Sequence, residues 1–599
     1  MQNKTRRTLI IARIIAIMLI MTLISSGTGI GISNPVEPDD WLARAQSFET
    51  VGNLEAAYDA YTRVIEIDPD LLSAYEGRGR MAYDLAQYNQ ALADFTTVLN
   101  KDPDNTTILY LRAQTYLQIP DLESALKDVD QVIEQQPDNM DAYLLRAKIR
   151  AESGMATAAL LDYQVILKDD PHNMEALTSM ANTHILLGNW DEALETLQGV
   201  TKQDPQNIRA YDLRGQVYFA QGKFLPAVLD WEKAAALGGE TADLYVKQAN
   251  ARYNLNQFEQ AISLWSLALD LNPSDAETLI NRSKAYIQLG ENDLALADLE
   301  KADALVPDNA DVQSNLGLVY MQQEETQKAI ESYTRAIELD PQNPLYYFWR
   351  GNAYRMLSNL QSAVQDLTSA VNLNPSDPDI YNNRGVTYMN MGELDAALAD
   401  FEKALEFAPD HTLSLVNSSL IYLQANQPEE ALTRLNRAMT IASEAPILHD
   451  LRAQAYFLLQ EFDLAIQDWE TYLQSDPQNV VVMDNVGRAH LAQKKYKEAL
   501  EWYDKAIKID PTLGGLYYQK GITLAQQNRY TEAIPLFTKA IEMGAQLDLA
   551  YFDRGVSYYN TNQISLAKED FLKVLEVSSN ENLITAARQV LTQLGVNVE

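Results

Sequence analysis

The chain has 599 residues, 83 acidic against 47 basic side chains, and a formal net charge of −36. A chain of that length exceeds one compact core, so several domains or a repeat array are expected. Its charge repels nucleic acid and anionic lipid, and the lack of any cysteine removes disulfides, thiolate metal sites and cysteine nucleophiles.

Residues 1–29 carry Lys4, Arg6, Arg7 and Arg13, then the apolar run IIAIMLIMTLI from Ile14 to Ile24, then SSGTG. Basic, apolar and small residues in that order are the layout of a secretory signal peptide. Extended to Ile32, the run also reaches the minimum for a transmembrane anchor. Positive charge stays inside, and Glu37, Asp39 and Asp40 follow, so both readings place the rest of the chain outside the cytoplasmic membrane. The expectation is an exported protein, membrane-anchored by this segment, or secreted or periplasmic if it is cleaved. Membrane contact is expected only there. Residues 30–37 read as a linker.

From Pro38 a single period of 34 residues runs to Glu581, giving sixteen units. Prolines fall on one beat from Pro69 to Pro511, and Gly239, Ser443, Ala545 and Ser579 occupy the beats without one. The equivalent position through Ala397 is alanine in all sixteen units, and the position through Gly385 holds only Gly, Ala or Ser. Leu394, Ala397, Leu398, Phe401, Ala404 and Leu405 recur at helical spacing. A helix before them carries Tyr381, Gly385 and Tyr388 and breaks at Gly392. Small residues at two fixed points let paired helices approach closely, and proline stops the second helix. Such pairs cannot bury their faces alone, so neighbours must stack. Residues 582–599 read as a C-terminal capping helix, with Leu583, Ile584, Ala587, Val590, Leu591 and Leu594 facing inward.

The stretch LGLVYMQQEETQKAIESYTRAIELDP, with Leu316, Gly317, Tyr320, Ala329, Tyr333 and Pro341, resembles the tetratricopeptide repeat family. The resemblance implies an all-α fold, a right-handed superhelical α-solenoid of helix-turn-helix repeats. It also implies a noncatalytic scaffold or adaptor whose concave groove, lined by first helices, receives protein or peptide segments. By phase the inward positions run through Asn382, Val386 and Met389, and between Phe348 and Val416 they supply Phe348, Asn352, Arg355, Asn382, Val386, Met389 and Val416. Apolar groups beside amides suit an extended peptide. The family's carboxylate clamp wants basic residues where Phe348, Leu413 and Asn417 stand, so that ligand class is not expected in this stretch. The alternative function is an envelope solute- or glycan-binding protein using a pocket in the superhelix.

Ten units carry an arginine one residue before the small position, and nine of these carry an aspartate sixteen residues later. The pairs include Arg78 with Asp94, Arg112 with Asp128 and Arg384 with Asp400. No unit without that arginine carries the aspartate. Residues that vary together usually touch, so each pair is expected to staple the two helices of one unit. The five histidines form no metal-ligand spacing, and no phosphate-cradling Gly-rich loop occurs. Short turns leave no room for a catalytic loop. No enzyme, cofactor, metal or nucleic-acid partner is expected.

Overall fold

A computed structural model describes residues 37–597. The expectations for residues 1–29, including the signal peptide or anchor, lie outside the described residues. The described chain is all-α, with 33 α-helices in sixteen consecutive pairs and a final single helix, Glu581–Gln593. It divides into two compact halves, Met1–Ala285 and Tyr286–Glu599. Among the described residues, no helix is long and apolar enough to cross a membrane.

Each repeat follows one local recipe. Pro-x-Asn stretches end one repeat and start the next: Asn105, Asn139, Asn173 and Asn207 each accept a hydrogen bond from a backbone N–H of the following first helix. Such a cap is worth about 1 kcal/mol. Gly392 closes the helix Pro378–Met391 in the left-handed region at φ 79°, which glycine adopts without steric cost. The second helix, Leu394–Phe407, then returns antiparallel. Where Gly239 replaces the proline, the second helix Phe224–Ala234 runs on into a π-helical turn, Ala235–Gly239, with Gly238 at φ 101°. Without proline's missing N–H and fixed φ, the chain is not forced to stop.

The core sits between the paired helices. All sixteen equivalent alanines, Ala57 to Ala567, are fully buried. The small position is explained by an aromatic ring: a Cβ on Gly385 would lie 2.6 Å from Phe401, and one on Gly487 would lie 2.5 Å from Tyr503. First helices of several neighbouring repeats also touch directly within each half, as Thr412–Gln424 does with Pro446–Leu458. They form a layer of their own. At the C-terminus, Ala587 and Leu591 are buried, with Leu583, Val590 and Leu594 half-buried, against Ala567, Phe571 and Val574.

Candidate functional site

In the C-terminal half, the first-helix layer holds an open pocket of about 700 Å3. Its walls come from consecutive repeats. Met389 comes from the last turn of Pro378–Met391; Leu420, Leu423 and Gln424 come from Thr412–Gln424; Gln454, Phe457 and Leu458 come from Pro446–Leu458. Asn485 and Arg488 enter from Val480–Ala492, and Trp469 from the second helix Phe462–Ser475. The size falls within the roughly 300–1,000 Å3 of small-molecule and side-chain pockets.

Polar groups on its floor are already tied. Trp469 is 2 % exposed, and its Nε1 donates to Asp450 Oδ1 at 2.9 Å. Gln454 Nε2 donates to the other oxygen of Asp450, also at 2.9 Å. Arg488 lies over the Phe457 ring, 5.8 Å from its centre. One turn earlier, Asp484 has an Oδ1 shut off from solvent with no hydrogen-bond partner. Burial pushes its carboxyl up to about 6, against a smaller downward pull from Arg488.

The residues named from sequence phase distribute differently. Met389 lines the pocket. Val386 packs beside it against Phe401 and Ile421, and Val416 packs against Leu415 and Leu435. Asn382 is buried, and its Oδ1 accepts from Ser414 Oγ at 3.3 Å and Asn417 Nδ2 at 3.0 Å. Phe348 stacks edge-on to Trp349 at 5.0 Å. Arg355 donates to Asn352 at 3.3 Å, and burial pulls its guanidinium below the ordinary range. Thus Asn382 is occupied inside the structure, and six of the seven lie off the pocket. The other pocket residues on the first helices fall largely on the same two phases as Val386 and Met389, one to three repeats further along. Following those phases past Val416 finds Leu420, Leu423, Gln454, Phe457 and Arg488. Nothing in the phase marks Trp469.

The charged pairs are two-pronged. Arg384 Nε and Nη2 meet Asp400 Oδ2 and Oδ1 at 2.8 and 2.7 Å. Arg78 meets Asp94 at 2.9 and 2.7 Å, and Arg112 meets Asp128 at 2.6 and 2.8 Å. The same fork joins Arg146 to Asp162, Arg214 to Asp230, Arg350 to Asp366, Arg452 to Asp468 and Arg554 to Asp570. Each guanidinium also reaches back into the preceding repeat. Nη1 of Arg384 donates to Thr368 at 3.2 Å, of Arg112 to Thr96 at 3.2 Å, of Arg554 to Thr538 at 3.0 Å. Except at Arg214, which reaches Thr201 thirteen residues back, that third partner stands sixteen residues before the arginine, as the aspartate stands sixteen after. In that position Thr62, Thr96, Asp130, Ser266, Thr334, Thr368, Asn436 and Thr538 precede arginines, so the sequence itself carries the signal for this contact.

Family models described as "TPR repeat" match residues 283–324, 319–358, 351–392 and 487–527. Models described as "Tetratricopeptide repeat" match 82–149 and 150–217, 378–411, 41–71, 515–544 and 549–581, and 416–480. The chain belongs to the tetratricopeptide repeat family. No curated protein matches it. Solved structures similar to it include a tetratricopeptide repeat protein from Parabacteroides merdae ATCC 43184, 21 % identical, covering 41 % of this chain and 98 % of that one, TM-score 0.37. The Cut9–Hcn1 hetero-tetramer of APC/C is 14 % identical over 81 % of this chain and 96 % of that one, TM-score 0.37. YrrB, described as a TPR protein with an unusual peptide-binding site, is 24 % identical over 31 % and 95 %, TM-score 0.29. Tetratricopeptide repeats are protein-interaction modules, and membership places this chain among scaffolds of that kind. Among the described residues, no group of three His, Asp or Glu side chains is placed to hold a metal ion.

Proposed function

We propose that this tetratricopeptide repeat protein is a noncatalytic scaffold or adaptor outside the cytoplasmic membrane, and that it holds a segment of a partner protein in the first-helix pocket of its C-terminal half. The pocket between Thr412–Gln424 and Val480–Ala492 carries the proposal. Leu420, Leu423, Leu458 and Phe457 offer an apolar wall for one bulky side chain, and Gln424 and Asn485 offer amides to a peptide backbone. The order of basic, apolar and small residues in 1–29 supports export.

A solute or glycan reading draws on Phe457 and Trp469, whose ring centres lie 5.9 Å apart. Trp469 is buried, however, and gives a sugar no open face to stack on. Photo-crosslinking in the native cell tests the peptide reading. A photoreactive side chain at Leu423 should give an adduct with a discrete protein, and the same group at Thr433, exposed on a second helix, should not. Equal labelling at both positions, or none at Leu423, sinks it.

A further inference from the structure

The C-terminal half contains eleven arginines, in a chain with a large excess of acid. Eight form ion pairs with carboxylates. Among the described residues Arg355, Arg488 and Arg588 do not, and Arg488 is the one of these that lines the pocket. Two other repeats show what it lacks. In the second repeat the equivalent cation is Arg80, which pairs with Glu49, 31 residues earlier, at 3.4 Å. In the fourth repeat it is Lys148, which pairs with Glu175, 27 residues later, at 2.6 Å. The corresponding places around Arg488 are Phe457 and Gly515. The first puts a ring under the guanidinium, and a Cβ built on the second would meet nothing within 4 Å. Both internal sources of a carboxylate are gone, and an apolar pocket opens beside the cation instead. Asp450 does not fill the gap: its oxygens accept from Trp469 and Gln454, and it makes no ion pair with Arg488. Asp484, one turn away, makes no ion pair with Arg488.

We infer that the pocket's partner supplies the missing carboxylate: it is a protein segment in which a bulky apolar residue stands next to an Asp or Glu, the apolar side chain filling the wall of Leu420, Leu423, Leu458 and Phe457 and the carboxylate meeting Arg488. This rests on the peptide reading above. Two-pronged arginine–carboxylate geometry gives such a contact direction as well as attraction. The net charge of −36 does not forbid it, since at physiological ionic strength charges beyond about 8 Å are largely screened.

Fluorescence anisotropy on the full chain in 0.15 M salt (a condition chosen for that screening), with three labelled Gly/Ser peptides bearing a central Phe-Glu, Phe-Gln or Ala-Glu, tests it. Phe-Glu should bind roughly three- to tenfold more tightly than Phe-Gln. The difference should vanish in Arg488→Gln and widen in Asp484→Asn, which removes the nearby carboxylate. Circular dichroism checks that both variants are folded. If Phe-Gln matches Phe-Glu while both exceed Ala-Glu, the carboxylate inference falls and the peptide pocket stands. If neither Phe peptide exceeds Ala-Glu, both fall. Free 4-phenylbutyrate binding more tightly than the Phe-Glu peptide would also overturn the inference, in favour of a small acid.

Discussion

Asp484 shows how one residue can report on its surroundings. An isolated aspartate titrates near 3.9; here burial pushes it up to about 6, and its Oδ1 has no partner. The folded state therefore holds the proton in a range where the unfolded chain has released it. Stability from this group is fully present below about pH 4 and is lost as pH rises towards 6. Asp484→Asn should thus stabilise the protein at pH 7.5, by roughly 1–3 kcal/mol, and make no difference at pH 3.5. Urea unfolding midpoints of the two proteins at both pH values decide this. A variant less stable than the parent at pH 7.5 would mean the carboxylate is satisfied in solution.

At the scale of elements, the repeated arginine ties three helices together. Arg384 joins its own helix, Pro378–Met391, to Leu394–Phe407 through Asp400 and to Leu360–Leu373 through Thr368. The Arg384 and Asp400 side chains are 16 % and 8 % exposed, so the pair has largely left water. Asp400→Ala strands a guanidinium and should cost about 2–4 kcal/mol, more than the roughly 0–1 kcal/mol of a surface pair. Arg384→Leu with Asp400→Leu should recover much of that, since no charge is then desolvated. Recovery stays partial because Thr368 loses its donor, worth about 1 kcal/mol. Hydrogen exchange resolved by peptide should show faster opening of these three helices and near-parental protection several repeats away. A double variant no better than Asp400→Ala would mean the pair does more than join helices. A divalent cation that stabilised the parent, with the double variant losing that stability, would point to an ion-binding site.

For the molecule as a whole, the folded repeats and the N-terminal segment should be separable. Repeat arrays are held by contacts between neighbours, and the caps, alanines and charged pairs described above all lie within residues 37–597. Deleting residues 1–29 should therefore leave the thermal unfolding of the repeats unchanged. It should also move the protein from the envelope fraction to the cytosol of its native cell. A truncated protein still found in the envelope would refute export by this segment.

The 34-residue period alone determined the all-helical, paired architecture. Caps, breaks and small positions act through hydrogen bonds and steric limits within one repeat or between neighbours, and these recur wherever the residues recur. The charge pattern was legible for the same reason: Arg384 and Asp400 face each other across one turn, at a separation the period preserves. Its third partner, Thr368, belongs to a looser pattern of Thr, Ser, Asn or Asp, and it lies across the preceding repeat, where spacing within a single unit says nothing. Only tertiary structure decided which inward residues are spent on packing and which are open. Asn382 has the right phase and is consumed by Ser414 and Asn417, while Leu423 and Arg488 border a cavity. Phase fixes the direction in which a side chain points, but whether space remains in front of it depends on side chains from other repeats. At Arg488 that is a ring and a glycine at the two places from which Arg80 and Lys148 each receive one glutamate.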